Sequence, residues 1–299
     1  MSLVPYDDRD GYIWYDGEMV PWRNVTCHIL THALHYASAV FEGTRVYGGE
    51  AFKLTEHNER LKTSAEIMGF ELPFDVPAID QACKQVIAAN GLSSGDGYLR
   101  PIAWRGSEMM GVSAQACKIH VAIAAWEWPA YFTPEARMEG IRMTWAKYRR
   151  PAPDTAPTQS KAAGLYMICT LCKHEAEAAG YNDALMLDYR GYLAEGSGAN
   201  LFLAIDGKLH TPTPDCFLNG ITRQTVIGLA EARGIEVVER HIKPEELKDA
   251  NEVFLTGTAV EVTPVKEIAD HNFQVGQMTR ELISDFDKLT RQSARKEAG

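Results

Sequence analysis

Residues Glu127–Met138 constrain this chain more than any other stretch. They are rich in proline and aromatic residues and follow neither the two-residue period of a strand nor the 3.6-residue period of a helix, so they divide the chain into two parts. The expected organisation is a small N-terminal α/β domain over 1–126, an interdomain loop over 127–138 and a larger C-terminal domain over 139–299. With 299 residues and 45% hydrophobic content there is enough apolar material to build a core on each side of the break.

Both parts mix strands and helices, an α/β chain with α+β character. In the first, short strands are expected at Tyr12–Tyr15 and Glu18–Trp22. Gly48-Gly49 separates Thr44–Tyr47 from Glu50–Leu54 as a hairpin turn, and a helix with Thr55 as N-cap runs to Met68, stopped by Gly69. A second helix, Ile79–Asn90, precedes strands Tyr98–Trp104 and Ile119–Trp126, the latter apolar on both faces. In the second part, strands are expected at Ile141–Lys147, Asp183–Leu187, Asn200–Ile205, Glu236–Glu239 and Glu252–Thr256. Helices fall at Ala163–Ala179, Thr222–Arg233 and Met278–Thr290.

Charge excludes some partners. Forty acidic residues against 30 basic ones leave a net charge of -10 with no polybasic run, which argues against nucleic acid. No apolar run approaches the roughly 18 residues of a membrane span and the N-terminus lacks signal-peptide features, so a cytoplasmic protein with reduced cysteines is expected.

Chemistry enters at Gln159-Ser160-Lys161-Ala162-Ala163-Gly164-Leu165-Tyr166 and at Tyr192-Leu193-Ala194-Glu195-Gly196-Ser197-Gly198-Ala199-Asn200-Leu201-Phe202. Lys161 alone is one cation among 30. The two segments at this spacing resemble the lysine and glutamate segments of the branched-chain amino acid aminotransferases, within the class IV aminotransferases of pyridoxal-phosphate (PLP) fold type IV. The resemblance runs from about Trp14 to Pro264. It implies a two-domain fold like that of the D-amino acid aminotransferases, with PLP held as a Schiff base on a catalytic Lys161.

Such a lysine must reach its neutral form to act as nucleophile and proton carrier, which a partly desolvated pocket favours. Glu195 is implied to face the pyridine nitrogen and Tyr166 to complete the cofactor site. A phosphate dianion calls for backbone amides at a helix start together with a cation. Asn219-Gly220-Ile221-Thr222-Arg223 and Thr256-Gly257-Thr258-Ala259 look like the family's phosphate turns, engaging Gly220, Ile221, Thr222, Gly257 and Thr258. Arg60, in His57-Asn58-Glu59-Arg60-Leu61, is similar to its phosphate-contacting arginine.

The substrate site is implied by Tyr98-Leu99-Arg100-Pro101, which resembles the Tyr-x-Arg element of branched-chain enzymes. A guanidinium at Arg100 allows one pocket to accept an apolar side chain and then glutamate's carboxylate. Tyr36, Phe41, Val112, Trp128 and Tyr131 are implied as apolar wall, Thr258 and Ala259 as substrate contacts, and Tyr36 and Val112 as residues serving a neighbouring subunit in a homodimer or larger homo-oligomer. The implied reaction exchanges the amino group of leucine, isoleucine or valine with 2-oxoglutarate, so the partners are amino acids and 2-oxo acids.

Rival readings share part of this pattern. A D-amino acid or (R)-amine transaminase would keep Lys161 and Glu195 but rearrange the substrate segments, against Tyr98-Leu99-Arg100. An aminodeoxychorismate lyase would release pyruvate without an acceptor. Cys27-His28 with His32 and His35 have helical spacing for a metal, yet no carboxylates complete a site and packed histidines are expected. Cys169 and Cys172 form a CxxC inside a helix, away from the N-terminus that activates such pairs, and read as buried apolar residues. Two stretches depart from the family: Glu108-Met109-Met110-Gly111, at the implied pocket rim, and Asp270–Gly276, which lacks the family's usual glycine-proline turn.

Overall fold

The computed structural model describes residues 4–128 and 134–296. Two compact units emerge: Met1–Pro129 with Ser160–Gly164 and Arg291–Gly299, and Ala130–Gln159 with Leu165–Thr290.

The first unit contains β1 (Tyr12–Tyr15), β2 (Glu18–Pro21), α1 (His32–Tyr36), β3 (Ala39–Phe41), β4 (Thr44–Tyr47), β5 (Glu50–Ala51), α2 (Leu54–Ile67), α3 (Val76–Ala89), β6 (Gly97–Arg105) and β7 (Ile119–Glu127). Its sheet has the order β2-β1-β7-β6-β4-β5, with β3 also on β6. The apolar run of β7 is explained by its place between β1 and β6, where Val121 and Ile123 join Leu61, Ile79, Val86 and Leu99 in the core. Each such side chain contributes roughly 1.5–3 kcal/mol on burial.

Local signals decide the ends. Gly48 and Gly49 both take positive φ, as the two-residue turn between β4 and β5 requires. Helix α2 begins two residues earlier than expected. Lys53 stands at the cap in a left-handed conformation, and Thr55 lies in the first turn with its hydroxyl donating to Asp80 at 2.6 Å, so the N-cap expectation for Thr55 is corrected. Asp75 caps α3 by accepting from the Ala78 N–H at 2.9 Å. Pro101 stands where β6 changes partner from β4 to β3, the interval spanned by Glu42 and Gly43.

The second unit contains α4 (Pro134–Glu139), β8 (Ile141–Trp145), α5 (Tyr166–Ala178), β9 (Asp183–Leu187), β10 (Leu193–Gly196), β11 (Asn200–Ile205), β12 (Lys208–Pro212), α6 (Ile221–Ala232), β13 (Val237–Arg240), β14 (Glu252–Gly257), β15 (Glu261–Ile268), β16 (His271–Asn272) and α7 (Gln277–Lys296). Its sheet runs β10-β9-β8-β15-β14-β11-β12-β13, and β10 also pairs with β11. Strand β15 escaped the sequence reading because it contains Pro264. A register irregularity between Val265 and Glu267, where β15 meets β8, accompanies the proline inside an interior strand. The atypical segment from Asp270 to Gly276 spans the end of the turn after β15, strand β16 and the link to α7. Among the described residues no helix is long and apolar enough to cross a membrane.

Candidate active site

In the first unit, one face of α2 organises the candidate residues. His57, Arg60, Leu61 and Ser64 fall at i, i+3, i+4 and i+7, so they line the same side of the helix. Ser64 grips the lysine strip: its hydroxyl accepts from the Lys161 N–H at 3.0 Å, and its carbonyl accepts from the Ser160 hydroxyl at 3.0 Å. On the other side Phe41 N–H donates to the Lys161 carbonyl at 3.2 Å, and Val40 bridges Ala162. The backbone of Lys161 is thus held between a helix and a strand.

Its ammonium lies 5.0 Å from the centre of the Phe41 ring, and the Arg100 guanidinium lies 4.8 Å from the same ring. Two basic side chains thus border one aromatic ring, an arrangement suited to drawing in a carboxylate.

Arg60 is fixed by a residue to which sequence reasoning assigned no role. Its Nε and Nη2 donate to the two oxygens of Glu42 at 2.6 and 2.9 Å, and His57 Nδ1 lies 2.7 Å from Glu42 Oε2. Burial alone would raise the Glu42 carboxyl, but Arg60 and His57 outweigh it and hold the group far below the usual carboxylate range. Burial pushes His57 down despite Glu42, which favours the neutral ring. The available signal was an acid, Glu42, directly after the apolar Ala39-Val40-Phe41.

Tyr98 packs against Trp126 and Trp128 at centroid distances of 5.3 and 5.1 Å. Its hydroxyl accepts from Arg100 Nη2 at 3.3 Å and sits where a Cβ on Gly43 would approach it to 1.9 Å, so only glycine admits this tyrosine. The indole N–H groups of Trp126 and Trp128 are buried without a hydrogen-bond partner, which makes this a wall with two unspent donors. Trp126 is a wall residue the sequence did not single out. Tyr36 and Val112 are instead 43% and 89% exposed. Tyr131 lies outside the described residues. His32, weighed as a metal ligand, is buried, with its nitrogens 2.6 Å from the Ser38 hydroxyl and 2.8 Å from the Gly111 carbonyl.

In the second unit, three neighbouring strands set Glu195, Asn200 and Thr256 side by side, since Asn200 pairs with Glu195 on one flank and with Thr256 on the other. A bulge between Leu193 and Glu195 interrupts the β9 pairing and re-aims the glutamate. Asn200 is the tie: its Nδ2 donates to Glu195 Oε2 at 3.2 Å and to the Leu218 carbonyl at 3.0 Å, while its Oδ1 accepts from Gly220 N–H at 3.2 Å. Gly220 caps α6 without a side chain, and a Cβ there would come within 2.2 Å of Asn200 Oδ1. The N-terminus of α6, with Ile221 and Thr222, is therefore anchored through Gly220 to Asn200, the residue that also holds Glu195.

Gly257 ends β14 and Thr258 and Ala259 open the turn that follows, and a Cβ on Gly257 would meet Val260 at 3.3 Å. Beside it the Thr256 hydroxyl is buried without a partner. Tyr166 opens α5. Arg223, in the same turn as Gly220, is fully buried on Thr211, Pro212, Asn219 and Glu239, so it is a packing residue. Arg150 and Cys169, to which the sequence reading gave no part in the site, approach Glu195 from behind. Arg150 Nε lies 3.4 Å from Glu195 Oε1, and its Nη1 donates to the Cys169 sulfur at 3.3 Å.

Among the described residues, Asp188, Asp215 and Cys216 have metal-ligand composition, but Arg190 forks into both carboxylates at 2.7 and 2.8 Å and supplies the positive charge itself.

These donors fit a phosphorylated pyridine. Uncapped amides at a helix start and an unpartnered buried threonine hydroxyl beside a glycine turn suit a phosphate. A buried carboxylate suits a protonated ring nitrogen, and a lysine amine suits a carbonyl.

Residues 39–268 match the amino-transferase class IV family. The branched-chain-amino-acid aminotransferase of Pseudomonas aeruginosa is 43% identical over 274 residues, 90% of this chain and 89% of that protein. The crystal structure of the Escherichia coli branched-chain amino acid aminotransferase superposes with a TM-score of 0.90 at 38% identity, covering 95% of this chain and 96% of that one. The branched-chain amino acid aminotransferase of Thermobaculum terrenum in its PLP form gives 0.86 at 30% identity, covering 94% of each chain. With family match, relatives and solved structures in agreement over nearly the whole length, the chain belongs to the class IV aminotransferases.

Proposed function

We infer that this protein is a PLP-dependent transaminase that exchanges the amino group between L-leucine, L-isoleucine or L-valine and 2-oxoglutarate. The observation that carries the reading is the pairing of relatives named for branched-chain substrates with Arg100 beside Phe41 and Lys161.

When bound, PLP supplies the electron sink that lets the bonds at a substrate's α-carbon loosen. The chain supplies the rest. Lys161 provides the amine that attaches the cofactor and then moves the proton at the substrate α-carbon. Glu195 would accept the hydrogen bond of the ring nitrogen, with Tyr166 completing the cofactor site. Arg60, the α6 amides at Gly220, Ile221 and Thr222, and Gly257 with Thr258 would hold the phosphate. Phe41, Tyr98, Trp128 and Tyr131 give isobutyl-sized groups an aromatic surface, Thr258 and Ala259 contact the substrate, and Arg100 receives the second carboxylate of glutamate. The chain is read as a domain pair joined near 127–138.

Exposed Ile29, Leu30, Leu34, Tyr36, Met110 and Val112 support a homodimer in which Tyr36 and Val112 serve the partner's pocket. A cytoplasmic setting suits six unpaired cysteines.

A coupled assay with 2-oxoglutarate decides the substrate. L-leucine is expected to transfer its amino group, and D-alanine and (R)-1-phenylethylamine are not. Activity confined to the last two, or pyruvate released without an acceptor, would overturn the reading.

A further inference from the structure

We propose that Arg150 is a positioning residue for Glu195, fixing the carboxylate in place and sustaining its negative charge for the cofactor nitrogen. This rests on the transaminase reading above and deepens it.

Three observations converge. Arg150 is the more deeply buried member of the pair, with 5% side-chain exposure against 11% for Glu195. A guanidinium is costly to bury and persists inside a protein only where an opposite charge matches it. Its Nε, 3.4 Å from Glu195 Oε1, makes no hydrogen bond, so it meets Glu195 by charge and not by a closed fork. Glu195 is in turn the leading influence that keeps Arg150 charged against its burial.

Arg150 cannot drift from this place. Its N–H donates to the Leu187 carbonyl at 2.8 Å, its backbone bridges Asp188, and its Nη1 is anchored on the Cys169 sulfur. Burial pushes that thiol up to about 11, so the anchor is a neutral S–H across the working range. From the opposite side Asn200 Nδ2 holds Glu195 Oε2. The carboxylate therefore has a cation behind one oxygen and an amide on the other, on a strand whose bulge has already turned it.

A buried carboxylate deprived of its counter-charge takes up a proton more readily. Once neutral it no longer favours a protonated ring nitrogen. Arg150 thus widens the pH range over which Glu195 is competent, without touching substrate.

The test uses the holoenzyme and its R150K and R150M variants, reading kcat and KM for L-leucine and the pH dependence of the bound cofactor's visible absorbance. In R150M, kcat should fall about 10- to 100-fold with KM changed less than about threefold, as for a lost charge-assisted contact. The acid limb of the absorbance titration should move up by about one pH unit. R150K keeps the charge and should restore the titration while recovering only part of kcat. If R150M fails to fold, the double variant R150M/E195Q should fold, because no stranded carboxylate remains. A double variant that also fails to fold would make Arg150 a packing residue and overturn the proposal. So would an R150M enzyme with wild-type kcat and titration, or an R150K enzyme no better than R150M. A wild-type enzyme that binds no PLP or leaves L-leucine untouched would instead refute the transaminase reading.

Discussion

Each unit contains a buried carboxylate set against a guanidinium, and the two pairs are built in opposite senses. In the first, Glu42 is fully buried and Arg60 keeps 18% of its side chain accessible. In the second, Arg150 is the hidden partner and Glu195 keeps 11%. The member that retains access is in each case the one with a proposed task, a cation for phosphate and an anion for a ring nitrogen. The hidden member orients it. The bonding differs accordingly: Glu42 receives a two-point fork at 2.6 and 2.9 Å plus His57, whereas Arg150 approaches Glu195 at 3.4 Å. A phosphate grip gains from a rigid, bidentate mount, and an acid partner gains from a sustained field.

The sharpest way to break this symmetry is to neutralise the accessible acid. Glu195→Gln should lower kcat by about 10²- to 10⁴-fold and also cost about 3–5 kcal/mol of stability, since Gln keeps the shape and the Asn200 contact but leaves the buried Arg150 without its counter-charge. A variant retaining wild-type kcat would remove Glu195 from the chemistry.

Neutralising the hidden acid should act on stability and cofactor binding ahead of the chemistry. Glu42→Gln strands Arg60 beside His57 and should cost about 3–5 kcal/mol of stability, lowering Tm by roughly 10 °C, with PLP affinity falling as Arg60 loses its mount. Calorimetry and cofactor titration check both; an unchanged Tm would mean that the fork is not structural.

Acid should expose the same asymmetry. Because Glu42 is held far below its ordinary value near 4.5, its contribution is complete above that pH and is lost as pH falls below it. His57, pushed down from 6.5 by burial, refuses a proton the unfolded chain accepts, so its loss begins near pH 6.5. Wild-type Tm should therefore decline first below 6.5 and more steeply below 4.5. Glu42→Gln should flatten the second phase; an equally steep decline in the variant would assign acid sensitivity elsewhere.

The two pairs were not equally readable from sequence. Lys161, Glu195, Arg60 and the turns at Gly220 and Gly257 sit in contiguous segments whose pattern carries them, and strands such as Asp183–Leu187 and Asn200–Ile205 announce themselves by continuous apolar character. Glu42 and Arg150 became visible only through partners 18 and 45 positions away along the chain, and nothing local marks a charged residue as one that folding will bury. Thr55 was misread as a cap because a hydroxyl before a helix is a good signal, yet here Lys53 took the left-handed cap position and freed Thr55 to bond Asp80. Strand β15 was hidden by Pro264, which pairs in register with Phe254 on one side and lies just before the pairing with β8 begins at Val265 on the other.

The smallest expected effect tests how far the hidden half of the second pair extends. Cys169 is buried, its thiol accepting from Arg150 and donating to the Leu165 carbonyl at 3.7 Å. Cys169→Ala removes one heavy atom and leaves the Arg150–Glu195 pair intact, so the loss should be about 1 kcal/mol, with Tm down by a few degrees. If the ion pair is what positions Glu195, kcat should stay within about threefold of wild type. A fall as deep as that of R150M would shift the positioning task from the charge to its sulfur anchor, and the two pairs would then differ in kind and not only in sense.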